Sequence, residues 1–161
     1  MIVKSNSHYI KVFLFSTVAL LLLSSCGKQP YFDEVHNFED EVWTEQDTAT
    51  FNVPVDDTIN SYDFIMTLRT STDYKFSNIW VHVITTAPDN STSKVAQRIP
   101  LARPDGSWLG RVSGTIVESK LRFDSKQFPI KGDYKFEIVK ATQNEDIDEV
   151  LDISLRVQSS N

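Results

Sequence analysis

The chain has 161 residues, 24% charged and 40% hydrophobic, the size and composition of one ordinary globular domain with no room for a second. Its formal net charge is −6, and residues 1–25 hold Lys4 and Lys11 but no acid, so without them the balance becomes −8. A domain this acidic repels phosphate backbones and anionic lipid surfaces, which argues against nucleic acid as a partner and for soluble or basic ones.

The first element is an export signal. A polar start with two lysines, Met1 to Lys11, precedes an uncharged apolar run from Val12 to Leu23. At about 12 residues such a run makes a helix of roughly 18 Å, well short of a bilayer core near 30 Å, so it does not read as a transmembrane anchor. Next comes Leu23-Ser24-Ser25-Cys26, which resembles the bacterial lipobox: an aliphatic residue, two small residues that leave the backbone open to a peptidase, and a cysteine whose thiol takes the lipid. The competing reading is an ordinary signal peptide that happens to end near a cysteine. Cys26 is the sole cysteine and has no intrachain partner for a disulfide, which agrees with a lipidation role. Burial contributes about 0.8 kcal/mol per methylene and one chain holds only reversibly, so stable attachment to the bilayer takes two or more palmitate-like chains. Gly27 stands where a retained inner-membrane lipoprotein often has Asp, and no acidic run follows Cys26. Both points favour the outer membrane and its periplasmic side.

These signals divide the chain into a signal peptide over 1–25, a lipidated cysteine with a polar arm over 26–48, and a domain over 49–161. Within the domain Phe51 to Val55 alternates at period 2, with Pro54 marking an edge or a strand end. Tyr62, Phe64, Met66 and Leu68 continue the alternation. Ile79 to Ile84 is apolar on both parities, as a strand buried on two faces would be. A turn at Pro88-Asp89-Asn90-Ser91 precedes Val95, Gln97 and Ile99, and a second at Pro104-Asp105-Gly106 leads into Trp108-Leu109-Gly110. Then come Ile116 to Phe123, a turn at Lys131-Gly132-Asp133, Tyr134 to Ile138, and finally Ile153 to Val157. About eight short strands separated by turns predict an all-β fold, an antiparallel β-sandwich of jelly-roll or Ig-like type. Asn144 to Leu151 fits a short helix with acids in its first turn or, equally, a polar loop.

The sequence carries few signals of chemistry. His36 and His82 have no partner at ligand spacing, and His82 falls on a predicted strand. Nucleophile-elbow, P-loop and dinucleotide fingerprints are missing, and five glycines do not build a phosphate cradle. An EF-hand loop counted from Asp146 has Leu151 at its sixth position and Val157 at its twelfth, so Glu145 to Glu149 reads as a solvated charge run. Asp56-Asp57 reads as an acidic turn. No enzyme activity, cofactor or metal is expected. Aromatics remain: three Trp, ten Phe and five Tyr. Most belong in a core, and Trp80, inside an apolar strand, is expected there. Trp108 fits either burial in a tight turn, favoured by Leu109 and the flanking glycines, or presentation to a partner, so Trp108 and Asp105 form the candidate partner surface.

The chain resembles the GldH family of gliding-motility lipoproteins of the Bacteroidetes. The resemblance runs from Cys26 through Tyr31, Trp43, Phe51, Asp57-Thr58, Tyr62 and Leu68-Arg69. It is most specific in Tyr74-Lys75-Phe76-Ser77-Asn78-Ile79-Trp80 and Pro104-Asp105-Gly106-Ser107-Trp108-Leu109-Gly110, and continues in Phe128-Pro129, Gly132, Tyr134, Phe136-Glu137 and Arg156-Val157. Arg103, Asn90 and Ser154 depart from it, standing where an acid, a turn Gly and a Gly are expected. The resemblance implies an accessory lipoprotein of the gliding machinery, tied to type IX secretion, with other envelope proteins as partners and no reaction of its own. It leaves room for an envelope process other than locomotion. Two roles follow, a structural or assembly subunit that docks envelope proteins, and a glycan- or peptidoglycan-binding module that uses exposed aromatics.

Overall fold

The computed structural model describes residues 29–142 and 145–160, so the signal peptide and Cys26 lie outside the described residues. The described residues form eleven strands, three of them only two or three residues long: β1 (Phe32–Asn37), β2 (Val42–Trp43), β3 (Ala49–Val55), β4 (Ser61–Ser71), β5 (Asn78–Thr86), β6 (Thr92–Pro100), β7 (Arg111–Ser113), β8 (Ile116–Gln127), β9 (Gly132–Lys140), β10 (Ile147–Asp148) and β11 (Val150–Ser159). One sheet has the order β1-β11-β4-β8-β7, the other β3-β9-β5-β6, and β10-β2 forms a small ribbon. Every pairing is antiparallel. The result is an all-β sandwich.

Alternation decides what each strand buries. In β3 the residues Ala49, Phe51, Val53 and Val55 all face inward and Thr50, Asn52 and Pro54 face out. β3 is the edge of its sheet, which is where a strand proline lacking a ladder donor is tolerated. Across the core β4 contributes Tyr62, Phe64, Met66 and Leu68, and β11 contributes Ile153, Leu155 and Val157. Each fully buried large aliphatic or aromatic side chain contributes roughly 1.5–3 kcal/mol of transfer free energy, so the interleaved rows hold the two sheets together.

Three sequence expectations need correction. Residues 32–43 were expected in the arm, but β1 pairs with β11 from Phe32↔Val157 to Asn37↔Asp152, and Trp43 is completely buried. The sheet therefore begins well before residue 49. Over 145–151 no helix forms, and the loop through Glu145 and Asp146 gives way to strands: Ile147 pairs with Trp43 and Asp148 with Val42, and Val150 opens β11 after Glu149 at φ 66°. Helical spacing of Ile147, Val150 and Leu151 is overridden because strand pairing buries Val150 and packs the partly buried Ile147 against the core. Finally, β5 is not buried on two faces. Ile79 and Val81 are buried, while Trp80 on the opposite parity is 48% exposed, because no layer covers the outer side of this sheet in a two-layer sandwich.

Two hairpin loops share one construction. In Ala87–Ser91 and Arg103–Ser107 the fourth residue donates to the first carbonyl at 2.9 Å, the first N–H donates to the fifth carbonyl at 2.9 and 2.8 Å, and the Asp carboxylate accepts from the Ser that follows. The fourth residue must be left-handed: Gly106 has φ 84° and Asn90 φ 64°. Asn is among the few side chains that tolerate that region, which explains why the turn glycine can be replaced there.

Candidate docking surface

Among the described residues, Tyr31 is the first whose side chain is hydrogen-bonded to the domain. Its hydroxyl donates to the Pro54 carbonyl at 2.6 Å and its ring lies 5.1 Å from that of Tyr62. Tyr31 lies five residues along the chain from Cys26, a reach of at most roughly 18 Å, so lipid on Cys26 would hold this end of the sandwich close to a membrane.

The three tryptophans have different surroundings. Trp43 is fully buried, stacks on Phe38 with centroids 4.6 Å apart, and donates Nε1–H to the Asp47 carbonyl at 3.0 Å. Trp108 is half-buried and packs on the core, its backbone bridged to Ala102. Two residues on, the chain can pass so close to β8 only because Gly110 lacks a side chain, since a Cβ there would lie 2.4 Å from the Glu118 carbonyl oxygen. Asp105 is exposed, but its Oδ1 accepts from the Ser107 N–H at 2.9 Å and the Ser107 hydroxyl at 2.7 Å. Those bonds, the hydroxyl's first, hold its carboxyl below the usual range, so this charge shapes the turn as well as facing solvent.

Trp80 is the third, and its setting was missed by the sequence reading. Trp80 and the 64% exposed Phe76 border a hollow of about 460 Å³ whose other wall carries Glu145, Asp146, Asp148 and Glu149. Tyr74 forms the floor, edge-on to Phe76 at 5.8 Å, and burial pushes its phenol up to about 12, so it stays neutral. The loop after β9 is fastened here by the Lys140 ammonium, which donates to the Glu145 carbonyl, while Ser71 donates to Glu149. Two apolar rings are thereby placed beside a cluster of carboxylates. The available clue was parity: Trp80 is out of phase with Ile79 and Val81 and pairs across the ladder with Arg98. No spacing rule joins it to residues 145–149, which are adjacent only in the fold. His36 sits 3.2 Å from Asp47 as an ordinary polar pair, and among the described residues no group of His, Cys, Asp or Glu is arranged to hold a metal.

An antiparallel β-sandwich behind a lipobox defines an envelope lipoprotein with an all-β domain. The profile described as GldH lipoprotein matches residues 30–157, and the chain belongs to that family. It is similar to the gliding motility lipoprotein GldH of Flavobacterium johnsoniae, with 29% identity covering 88% of this chain and 92% of that one. It is also similar to the gliding motility lipoprotein GldH homolog of Christiangramia forsetii, with 27% identity covering 96% and 98%. Among solved structures, the infectious bursal disease virus VP2 subviral particle aligns at TM-score 0.35 and 15% identity over 83% of this chain and 34% of that one, a likeness that carries no argument.

Proposed function

We propose that this protein is a membrane-anchored accessory lipoprotein of the gliding machinery, linked to type IX secretion, that acts as a structural or assembly subunit rather than an enzyme. Acyl chains on Cys26 hold it at the outer membrane, on the periplasmic side, and its sandwich docks other envelope proteins. The gliding names of both relatives support the process. The role rests on one observation, the exposure of Phe76 and Trp80 beside Glu145, Asp146, Asp148 and Glu149. Apolar anchors rimmed by like charge suit a partner segment with basic residues around an apolar centre, since aromatic anchors concentrate binding energy and the rim charges steer and select.

The alternative of glycan binding calls for a row of exposed aromatics across a sheet face. On the outer face of β5 Trp80 instead has Arg98 opposite it and His82 and Ile84 further along, so docking is the better reading.

The test is complementation. In a gliding host, deletion should abolish colony spreading, the wild-type gene should restore it, and a Phe76→Ala/Trp80→Ala double variant should accumulate at wild-type level in the envelope yet fail to restore it. Normal spreading and secretion by the deletion strain would refute the process, and full rescue by the double variant would refute this surface.

A further inference from the structure

The sheet order leaves one long side of the sandwich open. β7 pairs only with Ile116–Glu118 of β8, so among the described residues Phe123 to Gln127 have no strand beyond them. The facing half of β6 is equally uncovered: Val95 shares the inward parity of the buried Ile99 yet is 56% exposed. Between these edges lies a hollow of about 450 Å³ that runs into the core, walled by Phe64, Met66, Phe123, Phe136, Ile138 and Leu155. That volume falls within the range of small-molecule pockets.

A β-bulge sets a cation at its mouth. In the β4–β8 pair Phe64 faces Phe123, but Tyr62 faces Lys126, so two residues of β8 stand against Asp63 alone. The extra residue shifts the pleat and brings Lys126 onto the same face as Phe123 and the buried Tyr62. Lys126 lines the hollow, is exposed, and forms no ion pair among the described residues. The end of the sandwich matters too. Tyr31, at the base of the lipidated arm, contacts Tyr62, Tyr62 contacts Phe128 at 5.5 Å, and Phe128 lines the hollow. The opening therefore lies at the end from which the arm departs, where acyl chains from a bilayer would be most concentrated.

Apolar walls that extend inward from a single cation complement an unbranched aliphatic chain with an anionic head. We propose that this hollow binds a long-chain fatty acid, with the hydrocarbon between the two sheets and the carboxylate on Lys126.

Residues 27–161 contain every strand of both sheets and can be tested as a non-lipidated domain by displacement of fluorescent cis-parinarate. Palmitate should displace the probe. Val95→Trp, which fills the mouth at an exposed position, should weaken palmitate by tenfold or more without lowering the melting temperature. A charge-assisted hydrogen bond is worth about 1.5–3 kcal/mol, so Lys126→Glu should weaken palmitate by at least about tenfold while leaving hexadecanol, which has no charge, nearly unaffected. Failure of palmitate to displace the probe, or wild-type binding by Val95→Trp, would overturn the proposal and leave the hollow to apolar side chains of a protein partner. Equal losses of palmitate and hexadecanol in Lys126→Glu would overturn the carboxylate contact.

Discussion

Arg69 of β4 lies directly opposite Asp152 of β11, and its Nε–H reaches both carboxylate oxygens, at 2.9 and 2.8 Å, with Nη2 2.5 Å from Oδ2. Asp152 is only 3% exposed, whereas the Arg69 side chain keeps much of its surface in solvent. The pair therefore closes the join between two central strands and neutralises a charge that is largely shielded from water. Arg69→Met should cost about 3 kcal/mol, the lower end of the range for stranding a buried charge, because solvent can partly replace the guanidinium. Urea denaturation of residues 27–161 measures this, and a change below about 0.5 kcal/mol, typical of a neutral surface substitution, would show that the carboxylate is accommodated without its partner.

Trp43 and Trp108 should respond unequally to truncation. Removing the fully buried Trp43 also leaves the Phe38 ring and the Asp47 carbonyl without their partner, so Trp43→Ala should cost about 3–5 kcal/mol and endanger expression. Trp108 loses less on truncation because part of its ring is already in water, and Trp108→Ala should cost about 2 kcal/mol. Melting curves for the two variants decide the order. A Trp108→Ala domain that melts within a degree or two of wild type would make the turn at Asp105 a surface to test for docking.

Acid should weaken the domain through Asp63. Its carboxyl is held below the ordinary value by the Ser160 hydroxyl at 2.8 Å, and also by Arg122 and by Ser125 at 3.2 Å, against the opposing effect of burial. A folded pKa below the unfolded one stabilises fully above the ordinary carboxylate range, and that contribution is lost as pH falls through the folded value. The urea midpoint should therefore decline between about pH 5 and pH 3. Asp63→Asn should start lower at neutral pH and decline less steeply, though not flatly, because Asp57, Asp89, Asp105 and Glu118 are depressed as well. Parallel pH profiles for the two proteins would show that Asp63 does not titrate with folding.

Cys26→Ala removes the thiol on which the lipid anchor depends. The variant should accumulate as an uncleaved precursor and take up no labelled palmitate. A variant still cut and labelled like wild type would refute lipidation at this residue.

The sequence by itself determined the class of fold and the family. Period-2 alternation in β3, β4, β9 and β11 reports directly which side chains face a core, and Pro-Asp loops announce the hairpins, because both signals are carried by neighbours in the chain. Even the edge position of β3 was legible from Pro54, which has no N–H to donate. The family followed from blocks such as Tyr74 to Trp80, which need no knowledge of the fold. The burial of Trp43 and the exposure of Trp80 were decided only by tertiary structure. An apolar run such as Ile79 to Ile84 looks the same whether one or two layers cover it, and the number of layers is a property of the whole chain. Likewise β1, β2 and β10 exist because distant segments pair with them, β1 with β11 and β2 with β10, which overrides weak local patterns. The acidic wall beside Trp80 and the bulge that turns Lys126 inward join residues that are more than sixty apart in the chain, through ladder register, and no local spacing encodes register.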